Sequence, residues 1–133
     1  MLNGTLLFMG RKIKIENQAL TTLEYYYEKQ ETVTRECLLA LKVIILSIDE
    51  NITHTRKYQI PFFCYKEFNL GFLWIHRKKI LVGFVVDQKT LPQITWRRTM
   101  GRVTTIEINP MEDIPIDKIK FNFKELIRKY NLN

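Results

Sequence analysis

Three glutamates lie in the first predicted helical region and have the spacing that best suits metal chemistry. Glu24 and Glu28 are one helical turn apart, so their carboxylates would share a face. Glu31 follows at the end of the same region. Carboxylate oxygens bind hard cations, and we therefore predict a weak cation site at these three residues. The alternative is a solvated helix face balanced by neighbouring basic residues, and the residues alone favour this alternative.

A second set of residues combines basic and aromatic side chains around a predicted sheet edge. Cations attract anionic groups, and aromatic rings supply an apolar wall. The set therefore predicts a site for an anion or a small molecule. Its members are Lys57, Tyr58, Phe63, Trp74, Arg97 and Arg98.

Other chemistries find little support in the sequence. It contains no glycine-rich phosphate-binding loop and no Gly-x-Ser-x-Gly elbow. His54 and His76 have no neighbouring His or Cys at ligand spacing, which argues against zinc. A nucleophilic pair of Cys64 and His76 would lack a third residue to orient the base. We therefore expect a protein that is not an enzyme.

One predicted strand raises a nucleic-acid hypothesis. Phe72, Trp74 and His76 alternate along it and would share one face. Aromatic rings on a sheet, flanked by Arg and Lys, can stack single-stranded bases. However, a sheet covered by helices needs that face for its core, and this is the favoured interpretation. We accordingly expect no nucleic-acid partner.

The composition is that of an ordinary globular protein. The chain has 133 residues, 46% hydrophobic and 26% charged, with a formal net charge of +7. This length favours one domain, residues 19–133, after an N-terminal extension of residues 1–18 that we expect to be partly disordered. Cys37 and Cys64 form no CxxC pair and are predicted to be buried thiols, which fits a reducing, cytoplasmic location. The apolar run at the start is too short to span a bilayer.

Hydrophobic periodicity predicts helices at both ends of the chain and a sheet between them. Apolar residues recur at steps of three and four over residues 19–29, 32–48 and 116–130, which is the helical period. Apolar runs in the middle of the chain predict strands, and GFLWIHR followed by KILVGFVV forms the clearest hairpin. Residues 87–102 are predicted to be a loop with a helical turn.

The segment KYQIPFFCY, residues 57–65, joins the helical half to the sheet. Pro61 cannot donate a ladder hydrogen bond, so we expect its strand to lie at an edge, to end there or to bulge. Phe62 and Phe63 must point to opposite faces if the chain is extended. The connections are too short for crossover helices. These elements therefore predict an α+β two-layer sandwich with helices on a mainly antiparallel sheet.

The sequence also resembles the YdhG-like family of small bacterial proteins over residues 20–131. The similarity lies in KYQIPFFCY, FLWIHRKKILVGFV and INPMEDIP. The Tyr-Gly-x-Pro-x-Phe signature of that family is similar to the segment from Tyr58 to Phe63, where Gln59 stands in the glycine position. This resemblance implies a frataxin-like sandwich, with helices packed on one face of an antiparallel sheet.

The same resemblance implies a role in iron metabolism. Some members of the family are regarded as intracellular iron chaperones that deliver iron to iron–sulfur or haem assembly proteins, with acidic residues near the first helix. On this basis the expected metal of Glu24, Glu28 and Glu31 is iron. The sequence leaves both a monomer and a homodimer open.

Overall fold

The computed structural model describes residues 21–86 and 103–132, which form three helices and one five-stranded sheet. In chain order the elements are α1 (Thr22–Glu28), α2 (Thr32–Leu46), β1 (Ile52–Lys57), β2 (Ile60–Tyr65), β3 (Phe68–His76), β4 (Lys79–Val85), β5 (Val103–Ile108) and α3 (Ile116–Asn131). The predicted α+β class with an antiparallel sheet is confirmed. The extension predicted at 1–18 and the loop predicted at 87–102 lie outside the described residues.

The sheet is an antiparallel meander. Its strand order follows the chain, β1-β2-β3-β4-β5, and each neighbouring pair is antiparallel. The predicted hairpin of β3 and β4 is confirmed, with His76 opposite Lys79 at its closed end. β1 and β2 form another two-residue hairpin, with Lys57 opposite Ile60. The sequence prediction had not placed a turn there.

The β1–β2 and β3–β4 loops have a left-handed backbone at both residues. The φ angles are 53° and 68° at Tyr58 and Gln59, and 51° and 67° at Arg77 and Lys78. Two positive φ values match the twist of the flanking strands, and Asn-Gly or Asp-Gly is the usual sequence for such a loop. Neither loop contains glycine, which explains why the turn between β1 and β2 gave no sequence signal.

The helices pack on one face of the sheet and form the main core with it. α1 contacts β1 and β2, α2 contacts β1, and α3 contacts β3. The predicted apolar stripe of α2 is confirmed at Cys37, Leu41 and Ile45, which are buried. Val33, near the start of the same helix, is 43% exposed, because the helix turns Thr34 inward instead. Within the two described ranges, no helix is long and apolar enough to cross a membrane.

β3 contains an extra residue, followed by a glycine that makes room for α3. Phe63 pairs with Gly71 and Cys64 pairs with Asn69, so Leu70 has no partner and forms a β-bulge. Leu70 is fully buried in the core beneath the helices. A Cβ atom on Gly71 would lie only 2.8 Å from Cε1 of Phe123 in α3. The missing side chain therefore lets the Phe123 ring pack directly on the sheet.

A second apolar cluster lies on the face of the sheet turned away from the helices. Phe62 and Phe72 are buried there with ring centroids 5.4 Å apart. Gly83 of β4 lies under Phe72, since a Cβ atom on it would be 2.1 Å from the Phe72 ring. Phe62 and Phe63 thus point to opposite faces, as predicted, and both are buried.

Pro61 lies in an interior strand. Of the three alternatives predicted for its strand, the sheet edge is wrong, because β2 has neighbours on both sides. Pro61 opposes Arg56 on the β1 side, whereas the described pairing with β3 begins one residue later, at Phe62. The proline is tolerated because the ladder towards β3 starts after it.

The β1–β2 loop yields a stability prediction. Gln59→Gly should raise the free energy of unfolding by about 1 kcal/mol. An L-residue in the left-handed region costs roughly 1–2 kcal/mol, and glycine removes this cost. The greater conformational freedom that glycine loses on folding cancels only part of the gain. Urea unfolding measures the change. Gln59→Ala removes the same side chain without relieving the backbone and should not stabilise. Equal stabilisation by both variants would show that the side chain, rather than the backbone, is responsible.

Candidate functional site

An open cavity of about 270 Å³ lies between α1 and α2, and we call it the helical cavity. It is lined by Glu24, Tyr27, Glu28, Leu39 and Lys42. Its lining combines two carboxylates and one ammonium group with an aromatic and an aliphatic wall. Its volume is just below the usual range for ligand sites, roughly 300–1,000 Å³. These dimensions suit a small polar molecule.

A capping box at the start of α1 positions Glu24. The backbone N–H of Thr21 donates to Oε1 of Glu24 at 3.0 Å, and the N–H of Glu24 donates to Oγ1 of Thr21 at 3.0 Å. The hydrogen bonds from Thr21 hold the pKa of Glu24 below its ordinary value. Glu28 follows one turn later on the same face. Helix geometry therefore brings both carboxylates to one cavity.

Tyr27 is buried at the cavity and couples α1 to the sheet. Its side chain is 2% exposed, and its hydroxyl lies 2.8 Å from Nε2 of His54 in β1. The His54 ring stacks on Phe63 of β2 with centroids 4.7 Å apart. A continuous series of three rings thus runs from the cavity into the core.

Burial keeps the Tyr27–His54 pair uncharged at neutral pH. Burial lowers the pKa of His54 to about 4, and the nearby Lys42 ammonium acts in the same direction. Burial also raises the pKa of Tyr27. Nζ of Lys42 lies 5.6 Å from the centroid of the Tyr27 ring, within cation–π distance. The charges facing the cavity therefore come from the two glutamates and Lys42.

The three predicted cation ligands are divided between two cavities. Glu24 and Glu28 share the helical cavity, whereas Glu31, the N-cap residue of α2, lines another one of about 340 Å³. The other residues lining that cavity are Gln30, Thr34, Ile75 and Lys78. Across 21–86 and 103–132, no three His, Cys, Asp or Glu side chains are grouped so that they could hold a metal ion. The structure brings together two of the three predicted ligands.

The predicted basic and aromatic site is divided by the sheet. Tyr58 is 50% exposed in the β1–β2 loop, and its ring lies 5.5 Å from Phe62. Trp74 is half-buried and packs on the same cluster as Phe62. Phe63 is fully buried on the helix side. Tyr58 and Trp74 therefore lie on one face of the sheet, and Phe63 lies on the other.

Lys57 belongs to a polar contact on the face turned away from the helices. Its Nζ donates to Oδ1 of Asn69 at 2.7 Å, and Sγ of Cys64 lies 3.4 Å from the same oxygen. Both cysteines of the described chain are buried, as predicted. Burial raises the pKa of the Cys64 thiol, which disfavours the nucleophilic thiolate. The last two members of the predicted site, Arg97 and Arg98, lie outside the described residues.

Sequence reasoning missed Lys42 and His54 as members of a site. Lys42 is the only charged residue of α2 after Cys37, and a lone cation in such an apolar run was a usable signal. His54 gave no such signal, because its partner Tyr27 is 27 positions away in the sequence. Spacing along one element cannot reveal a contact between two elements.

Comparisons of the chain with protein-family models, with curated proteins and with solved structures found no match. The resemblance to the YdhG-like family therefore stays a prediction. The function has to be inferred from the charges and contacts of the described residues.

The Tyr27–His54 pair predicts a pH dependence of stability. The pKa of His54 is about 4 in the native chain and 6.5 ordinarily, so the unfolded chain binds an additional proton between these values. The contribution of His54 to stability should therefore fall as the pH drops through 6.5 and level off below 4. After allowance for partial exposure, His54 should account for about 2 kcal/mol of that loss. Urea unfolding at a series of pH values measures it.

The variant His54→Gln isolates this contribution. It retains a polar partner for the Tyr27 hydroxyl but cannot titrate, so its stability should depend less on pH than that of the wild type. His76→Gln removes an exposed imidazole and should keep the wild-type slope. Equal slopes in the wild type and His54→Gln would contradict the assignment.

Proposed function

We propose that this protein binds a small ligand that carries both a cationic and an anionic group, and that its site is the helical cavity. The observation that carries this proposal is the presence of Lys42 and two carboxylates around one cavity. The carboxylates of Glu24 and Glu28 would hold an ammonium group of the ligand. Lys42 would hold its carboxylate or phosphate. This is a small-molecule binding function, with its site at the helices rather than at the sheet edge.

The chemistry of the pair beside the cavity supports binding without a reaction. A general acid or base works best with a pKa near the operating pH. The pKa of His54 is about 4, and burial raises that of Tyr27, so both groups keep their protons fixed near neutral pH. Their hydrogen bond fixes the wall of the site, and we propose that the protein is not an enzyme.

The charge pattern predicts a specific ligand preference. In a calorimetric titration with a panel of amino acids, zwitterions should bind, whereas the corresponding amines and carboxylic acids should bind more weakly. Lys42→Gln and Glu28→Gln should each weaken binding of the zwitterion about 10-fold to 100-fold, because each removes a charged hydrogen-bond partner.

Lys29→Gln is the matched control for Lys42→Gln. Lys29 is exposed and lies over the rings of Tyr25 and Tyr26, outside the cavity lining. It should leave the affinity unchanged. An equal loss in Lys29→Gln, or the absence of binding by every zwitterion tested, would contradict the proposal.

Iron binding is the second candidate function, and the shared position of Glu24 and Glu28 in one cavity favours it. In that case the protein would be a cytoplasmic, YdhG-like member of the frataxin-like fold that passes iron to iron–sulfur or haem assembly proteins. Two carboxylates with few further ligands fit weak, exchangeable binding of a hard cation. Lys42 on the same cavity opposes it by charge repulsion. For this reason the small-ligand proposal ranks first.

Calorimetry with ferrous iron under anaerobic conditions tests the second candidate. Binding heat should be lost in Glu24→Gln/Glu28→Gln. Gln is also suited to the capping box, so this variant should keep α1 folded. Glu112→Gln/Asp113→Asn removes an equal charge from an exposed pair in the loop before α3 and should retain the heat. No heat in the wild type, or equal heat in both variants, would reject iron binding.

A further inference from the structure

We propose that the cavity between the start of α2 and the β3–β4 loop binds a phosphate group. This cavity, which we call the hairpin cavity, has a volume of about 340 Å³. It is lined by Gln30, Glu31, Thr34, Ile75 and Lys78. The helical cavity shares none of these lining residues, so the two proposals can fail independently.

Thr34 brings a buried hydroxyl to this cavity. The residue is 9% exposed, and among the described residues no group hydrogen-bonds to its hydroxyl. A helical threonine can bond to the carbonyl one turn earlier, but here the Gln30 carbonyl accepts from Nη1 of Arg35 at 3.3 Å. The hydroxyls of the two buried tyrosines, Tyr27 and Tyr65, both have side-chain partners. Because a buried hydroxyl without a partner is costly, Thr34 points to a ligand in the cavity.

The first turn of α2 supplies further donors beside Thr34. The earliest N–H to donate within this helix of 15 residues is that of Arg35, to the carbonyl of Glu31 at 2.8 Å. The N–H groups of Thr32, Val33 and Thr34 precede it, and within the described ranges none of them has a partner. Glu31 is the N-cap residue but makes no side-chain cap hydrogen bond. Free N–H groups and the helix dipole together attract an anion to this end of the helix.

Lys78 supplies a cation from the sheet side of the cavity. In the described part of the chain, no carboxylate lies within ion-pair distance of its ammonium group. Glu31 lines the same cavity without pairing with it. By contrast, the neighbouring Lys79 is 3.9 Å from Glu107. The ammonium group of Lys78 is therefore available to an anionic ligand.

The groups around the hairpin cavity are mainly hydrogen-bond donors. An ammonium group, a hydroxyl and the N–H groups of the first helical turn can all donate to one ligand. A phosphate group has enough acceptor oxygens to bind several of them at once, and its charge strengthens each bond. Ile75 adds an apolar wall for the organic part of a phosphate ester. Glu31 opposes an anion by charge repulsion, so removal of its charge gives a test with a definite sign.

Titration of the isotope-labelled wild-type protein with inorganic phosphate, followed by backbone NMR, tests this inference. The amide signals of Thr32, Val33 and Thr34 should shift and reach saturation, and the signal of Lys78 should follow the same curve. Sodium chloride at equal ionic strength should not shift them. No saturable shift, equal shifts with chloride, or shifts confined to α1 would each overturn the proposal. Because the wild-type chain is used, the result does not depend on how any variant folds.

Three variants test the assigned groups. Thr34→Val and Lys78→Gln should each weaken phosphate binding about 10-fold to 100-fold, because each removes a hydrogen bond to a charged group. Thr34→Val should also be at least as stable to urea as the wild type, because the hydroxyl has no partner among the described residues. Glu31→Gln should strengthen phosphate binding. Weaker binding by Glu31→Gln, or a marked loss of stability in Thr34→Val, would overturn the proposal.

Two control substitutions match these variants in chemistry. Lys66 is exposed in the β2–β3 loop, at the other end of the sheet, and its φ of 56° resembles the 67° of Lys78. Thr104 is exposed on β5. Lys66→Gln and Thr104→Val should both keep the wild-type affinity for phosphate. A loss in either control equal to that of its matched variant would overturn the proposal.

Discussion

The burial of Tyr27 is the contact on which the position of α1 and the shape of the helical cavity both depend. A helix of seven residues is far below the length of about 12 at which isolated helices become marginally stable in water. Tyr27 is the only buried residue of α1. Its hydroxyl reaches β1 through His54, and His54 stacks on Phe63. Because the same ring lines the cavity, the packing that holds α1 in place also shapes the site.

The groups of the site that connect α1 to the sheet are neutral, whereas the groups that face the cavity are charged. The groups that connect the layers, Tyr27 and His54, are uncharged near neutral pH, because burial disfavours their charged forms. Glu24, by contrast, is exposed, and hydrogen bonds from the helix N-terminus lower its pKa. A ligand would therefore meet a fixed pattern of charge on an uncharged wall. Such a pattern suits recognition better than proton transfer.

Periodicity predicted the elements of the fold but not the contacts between them. The stripe of α2 and the β3–β4 hairpin follow from the spacing of apolar residues that are close together in the sequence. This spacing can be read without knowing the fold. The loop at Tyr58 and Gln59 was missed, because non-glycine residues adopt its left-handed backbone. Because Glu24 and Glu28 are one helical turn apart, their proximity could be predicted from the sequence. Tyr27 and His54 were not, because only the tertiary fold brings them together.

The bulge in β3 decides which face of the sheet Leu70 joins. Leu70 faces the helices, whereas Trp74 belongs to the cluster on the other face. Strict alternation would put these two residues on one face. The extra residue at Leu70 shifts the alternation by one position, so the two residues lie on opposite faces. Without the extra residue, Leu70 would share the face of Phe72 and Trp74 instead of lying beneath the helices. Gly71 follows directly, and its missing side chain leaves room for the Phe123 ring of α3. The bulge therefore adds one apolar residue to the helix side of β3 at the point where α3 packs on the sheet.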